Sequence, residues 1–403
     1  MKQQLLIGTL SLAALAGCVS APKAAPPPEF HPISINNFAR TWTVALGMQG
    51  AKATDVFLYD NVIVVYGDDG TAHVVNRQTG RLMYIHDLPK QSGTLHAPGI
   101  VGDLIIYPAT SAIKIYSVKT GQLVREFSVP FAIRSGVTGA NNFYYFSADY
   151  PNGGRLVALD INRNDALPRW EIMTRAAIRA NPVLYQGSIF FAAQDGTVRA
   201  VSEERGALWE RDDYYDGAFK ASGAIVANIR VDESAVYVAS ADSKLYALNR
   251  GNGKIKWQYF AGVPLINAPY TTNDTLYITV PGQGLTAISK LEGDYNRKPR
   301  WIAPNATQFL ADDDKYTYVL LDSNQVAALD KTTGQAKFSS TRNDLTQFGV
   351  NQKDGLVYAT DPDGNLLQIK PVIKQGVVGE LVLETHPLDV RQLDAGQTEV
   401  ASR

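Results

Sequence analysis

Short runs rich in β-branched and aromatic residues, each closed by a tight turn, fill the chain from about residue 40 to about residue 370. Runs such as Ala235-Val236-Tyr237-Val238-Ala239 and Leu356-Val357-Tyr358-Ala359 predict strands, and the Asp-Gly pairs at Asp69-Gly70, Asp195-Gly196 and Asp363-Gly364 predict hairpin turns, because both residues tolerate positive φ. A register of small or apolar, aliphatic, then polar residue recurs behind these turns. It is clear at Ala158-Leu159-Asp160, Ala200-Val201-Ser202, Ala247-Leu248-Asn249, Ala287-Ile288-Ser289 and Ala328-Leu329-Asp330. Weaker copies are Val74-Val75-Asn76, Ser117-Val118-Lys119 and Gln368-Ile369-Lys370. The aliphatic position falls at 75, 118, 159, 201, 248, 288, 329 and 369, giving eight copies separated by steps of 43, 41, 42, 47, 40, 41 and 40. A second turn then ends in glycine (Gly80, Gly121, Gly206, Gly253, Gly334), and an aromatic residue follows: Tyr84, Trp209, Trp257, Phe338, with Trp170 and Trp301 in two irregular copies. The second copy carries Arg125 at that place and Phe127 two residues later.

A repeat of this length holding four short antiparallel strands is the size of a propeller blade, and a closed ring of blades removes exposed sheet edges. The pattern therefore predicts an all-β fold, an eight-bladed β-propeller of four-stranded antiparallel blades over residues 39–371. The recurring aromatic, including all five Trp residues, is expected on each outer strand, packed between neighbouring blades. Residues 40–46 (RTWTVAL) resemble an outer strand with no blade before it, so they are assigned to the last blade, closing the ring. Residues 377–384 (VVGELVLE) alternate well enough to compete for that place. Residues 372–403 form a C-terminal extension with this one possible strand, followed by a tail poor in large apolar groups.

The start of the chain reads differently. Lys2 precedes an apolar run over residues 5–16 that is too short to span a bilayer, and the run ends in Leu15-Ala16-Gly17-Cys18. This tetrad resembles the lipobox of bacterial lipoproteins, which makes residues 1–17 a signal peptide and Cys18 the acylated first residue of the mature chain. Cys18 is the only Cys in 403 residues and has no partner for an intramolecular disulfide, which fits lipidation. Ser20 in place of an acidic retention signal implies, by analogy, the outer membrane. Residues 18–38 are small and Pro-rich, a tether of partly polyproline II character. A formal charge of −1 excludes the basic excess of a nucleic-acid binder, and 45% hydrophobic residues support a well-cored body.

Candidate chemistry is sparse. The blade motif with its outer-strand Trp is similar to the pyrroloquinoline-quinone repeat, but the adjacent cysteines expected beside that cofactor have no counterpart here, so no cofactor and no catalytic residue are assigned. His31, His73, His86, His96 and His386 show no metal-ligand spacing. Asp212-Asp213 and Asp312-Asp313-Asp314 lack the alternation of a calcium loop and read as solvated turns, so no metal is expected. Gly251-Asn252-Gly253 and Gly282-Gln283-Gly284 open no helix and read as turns.

Leader, tether, eight quinone-type blades and a closing N-terminal strand together resemble the BamB family of outer-membrane lipoproteins. The most specific patch is Trp170-Glu171-Ile172, then Ile178-Arg179-Ala180-Asn181-Pro182, then Gln194-Asp195-Gly196-Thr197-Val198. The resemblance implies that the loop carrying Ile178 and Arg179 docks on a BamA-like assembly protein, and Ile133-Arg134 repeats the pair one blade earlier. Ala221-Ser222-Gly223-Ala224 departs from the family's acidic loop pair, and the turns at residues 162–167 and 292–299 are irregular. Inter-blade loops and second-to-third-strand turns share one face of a propeller. Phe131, Ile133, Arg134, Ile178, Arg179, Tyr214, Tyr215 and Phe219 are expected there as partner contacts, aromatics and Arg being typical of interface hot spots. The expected function is that of a non-catalytic, lipid-anchored scaffold for outer-membrane β-barrel assembly, a monomer within a hetero-complex, facing the periplasm. The alternatives are a propeller that binds carbohydrate or peptide, and a scaffold of another envelope complex.

Overall fold

The structure, a computed structural model, describes residues 38–371 apart from 89–92, 164, 207, 210–218, 292 and 341. The leader, Cys18, the tether, residues 377–384, Asp212-Asp213, Tyr214 and Tyr215 lie outside the described residues. The described chain forms eight sheets in a ring, each running from an inner to an outer strand, so the fold is an eight-bladed β-propeller. Blade 1 shows the unit: Ala53–Leu58, Val62–Gly67, Thr71–Asn76 and Leu82–Asp87 pair antiparallel in that order. Its second strand is buried throughout, because strands in the middle of a blade are covered by neighbouring blades on both faces.

The eighth blade takes three strands from the C-terminal side (Phe348–Gly349, Val357–Thr360, Asn365–Pro371) and its outer strand, Phe38–Ala45, from the N-terminal side. Seven residue pairs join the two ends of the chain, from Phe38↔Pro371 to Ala45↔Asn365, with one irregularity between Arg40 and Trp42. The N-terminal segment, rather than residues 377–384, therefore supplies the closing strand.

The recurring aromatic residues join each blade to the next. The Trp170, Trp209 and Trp301 indoles donate from Nε1 to the carbonyls of Glu203, Arg250 and Lys331 in the following blade, at 3.0, 2.7 and 2.9 Å. The glycine of the following blade's third turn lies under the ring: a Cβ on Gly253 would stand 2.7 Å from Trp209, and one on Gly80 would stand 2.5 Å from Trp42. Blade 2, which has no aromatic at this place, uses Arg125, whose guanidinium donates to the Ile161 carbonyl of blade 3. The irregular turn of blade 6 folds back as a short strand, Asn296–Arg297, parallel to the outer strand of blade 5 (Ile255–Phe260), giving that sheet a fifth strand. Arg297 then covers Trp257 at 5.5 Å, where other blades present glycine.

A second set of links uses the cation just after the third strand. Arg77 donates to Tyr59 O in its own blade and to Asn351 and Asp354 of blade 8. Lys290 of blade 6 pairs with Asp232 of blade 5 at 2.5 Å, and Lys331 pairs with buried Asp312 at 2.9 Å. Asp312 is therefore not part of a solvated turn: burial raises its carboxyl above the usual range, and Lys331 offsets only part of that rise. Phe219 also departs from expectation. It lies on the outer strand of blade 4, opposite Val198, buried against Tyr246. Leu208 N donates to Ala200 O and Lys220 pairs with Thr197, both on the third strand of that blade, so the described residues on either side of 210–218 meet the same strand.

Candidate docking face and axial cavity

The loops that enter the blades share a short register: an aliphatic residue, a variable one, then a small or polar pair. Ile133, Ile178, Ile225, Leu265 and Leu345 hold the aliphatic place, and all five are buried. Ile178 packs with Tyr145 and Leu156 of blade 3 and Phe191 of blade 4, and Ile133 sits in the core between blades 2 and 3. Phe131 is buried in the same core, with the Arg155 guanidinium over its ring at 5.0 Å. These three side chains offer little surface to a partner. They recur because each blade needs an apolar anchor where the chain turns inward.

The variable place faces the axis. His96, Arg134, Arg179, Val226 and Ile266 occupy it in blades 2 to 6, and all five line a cavity of about 540 Å³ at the mouth of the central channel. The rim thus carries an imidazole and two guanidiniums over three consecutive blades and aliphatic side chains over the next two, and Asp55 of blade 1 also lines it. Phe57 and Tyr66 are the aromatic members of the lining, both from blade 1.

One carboxylate binds the two rim arginines. Asp149, at the end of the second strand of blade 3 (Phe143–Tyr150), accepts from Arg134 Nε at 2.5 Å and from Arg179 at 2.8 Å. This contact joins inter-blade loops to a second-to-third-strand turn, which confirms that the two share a face. Burial raises the Asp149 carboxyl, but the hydrogen bonds from Arg179 and Arg134 outweigh that and hold it below the ordinary range. Two cations on one anion leave the group a net positive charge. The His96 ring is lowered first by burial and further by Arg134 and Arg179, against its bond to Ile133 O at 3.0 Å.

Asparagines fix the loops around the axis. Asn181 Oδ1 accepts from Gly136 N, and Asn228 Oδ1 accepts from Asn181 N, both at 2.7 Å, so each side chain caps the equivalent loop of the preceding blade. Neither this ladder nor the role of Asp149 follows from one loop read alone. Aligning the blade entries places Asn181 and Asn228 at one position. Among the described residues no cluster of His, Cys, Asp and Glu fits a metal ion.

The family model for the outer membrane protein assembly factor BamB matches residues 109–227 and 207–337, more than half of the chain. The chain belongs to the BamB family. Among curated BamB proteins, that of Nitrosomonas eutropha is 26% identical over 182 residues, 44% of this chain and 42% of its own length. The BamB protein of Yersinia pestis is 23% identical over 209 residues, 45% of this chain and 51% of its own length. The matched region thus spans about half the length of these relatives. The crystal structure of BamB from Moraxella catarrhalis superposes with a TM-score of 0.62 at 13% identity, over 83% of this chain and 99% of that one, and shows the same fold.

Proposed function

We propose that the protein is a non-catalytic, lipid-anchored scaffold for outer-membrane β-barrel assembly, docking a BamA-like partner through the loop face. Family membership supports the assembly role, and the arrangement of Arg134, Asp149 and Arg179 supports the choice of face. The three side chains are each about a third exposed. Pairs so exposed contribute at most about 1 kcal/mol to stability. An aligned, part-solvated pair of guanidiniums is better suited to receiving an acidic or carbonyl group from outside. Tyr214 and Tyr215 are proposed as further contacts. Cys18 is the proposed anchor, on the periplasmic side of the outer membrane.

The test is recovery on immobilised protein from solubilised envelopes. The unaltered protein is expected to retain a barrel-assembly component, and the double variant Arg134→Glu, Arg179→Glu to lose most of it without a change in Tm. Failure of the unaltered protein to recover any such component would overturn the reading.

A further inference from the structure

Arg230 lies on the innermost strand of blade 5 (Arg230–Val231), two residues beyond Asn228 of the cavity lining, and so about 6–7 Å deeper along the channel. Its Nε is buried without a hydrogen-bond partner, and among the described residues no carboxylate, carbonyl or hydroxyl binds any of its nitrogens. Its one close companion is the Tyr270 ring of blade 6, 5.4 Å from the guanidinium. Other cations held between the blades differ: Arg77, Lys290 and Lys331 all meet carboxylates. Arg199 and Arg297, whose Nε atoms are also buried without acceptors, place another nitrogen on the Met173 and Leu291 carbonyls. Arg230 is half-buried, and a partly desolvated guanidinium without a counter-charge carries a cost that is reduced when an anion reaches it.

The surroundings define a route. Arg230 sits on the strand nearest the axis and is half-buried, so the channel is the nearest way in for a ligand. At the far end Gln352, from the first turn of blade 8, reaches past blade 7 to accept from Thr271 N of blade 6 at 2.9 Å. The wide end is the mouth, where Arg134 and Arg179, with Asp55 of blade 1 on the same wall, line a cavity of about 540 Å³, the size of a small-molecule site, and Arg230 lies beyond that lining.

We propose that the axial well binds a carboxylate, which passes the Arg134 and Arg179 rim and is held at depth by Arg230. The carboxylate comes either from a small free acid or from an acidic side chain of a protein segment entering the mouth. The inference does not rest on the docking reading, since it concerns the isolated chain.

Purified protein is titrated with citrate, and separately with the blocked tripeptide Ac-Ala-Asp-Ala-NH2, against NaCl at matched ionic strength, reading Tm and the heat of binding. A saturable rise in Tm with either probe is expected, and the probe that gives it identifies the source. Arg230→Met is expected to abolish the response while keeping the starting Tm equal to or above that of the unaltered protein, because an unpaired, partly buried charge is gone. Arg230→Lys keeps the charge without the planar fork and is expected to retain a response with Kd raised about tenfold or more. Overturning results are a response unchanged in Arg230→Met, the same rise with NaCl alone, or no saturable response to either probe. A fall in Tm for Arg230→Met with no change in ligand response would make Arg230 a structural residue and also sink the proposal.

Discussion

Gly334 illustrates how tightly one residue can hold two blades. A Cβ there would stand 2.5 Å from the Trp301 ring, and the backbone has φ +72°, a region that L side chains avoid. Gly334→Ala is therefore expected to lower stability by about 2–4 kcal/mol, combining backbone strain and overpacking, as a shifted midpoint in urea unfolding. His86 gives the pH dependence. It stacks on Tyr116 at 4.0 Å and bonds through Nδ1 to Tyr107 Oη at 3.0 Å, and burial pushes its ring down to about 4. The native state keeps it neutral while the unfolded chain takes up a proton below about 6.5. Its contribution is therefore complete above that pH and is lost between there and about 4, to the extent of roughly 3 kcal/mol. Unfolding at pH 7 and pH 4.5 is expected to show a smaller difference for His86→Phe than for the unaltered protein. The variant is also expected to start about 1–3 kcal/mol lower, because the Tyr107 hydroxyl loses its partner. At this scale the sequence told the aromatic positions well, since bulk and spacing mark them. It told the partner contacts poorly: Ile178 and Arg179 look like one motif, yet one is a core anchor and the other a rim residue.

The blade was the most legible element, because eight copies of one turn-and-strand pattern average out local irregularity. What the pattern did not carry was the use of its exceptions. The long turn of blade 6 becomes a fifth strand on blade 5, and Phe219 pairs with Val198 on the outer strand of blade 4 instead of lying in a loop. Both depend on where a neighbouring edge lies, which no single repeat encodes. The closing strand is the element whose removal is most informative. A chain lacking residues 38–45 leaves the third strand of blade 8 as an open edge and Gly80 without the Trp42 ring above it. Loss of a single cooperative unfolding transition and formation of higher oligomers are expected, read by calorimetry and size-exclusion chromatography. A monomer with unchanged unfolding would show that closure is dispensable.

For the whole molecule, the ring and its loop face were legible in the sequence, but the axial cavity was not, because it exists only once several blades stand side by side. The polar and aliphatic arcs of the mouth belong to different blades, and Arg230 gains meaning only from the neighbours it lacks. The pairing of Phe38 with Pro371 sets a further property. Both residues lie at the face opposite the mouth, and Phe38–Ala45 runs from that face toward the loops. A pull on the chain ahead of Phe38, with a partner gripping the mouth, would act along this strand. Its hydrogen bonds to Asn365–Pro371 lie crosswise to the load and must yield together rather than one by one, so the seam that closes the ring is loaded in shear, the geometry in which a β-ladder resists force best.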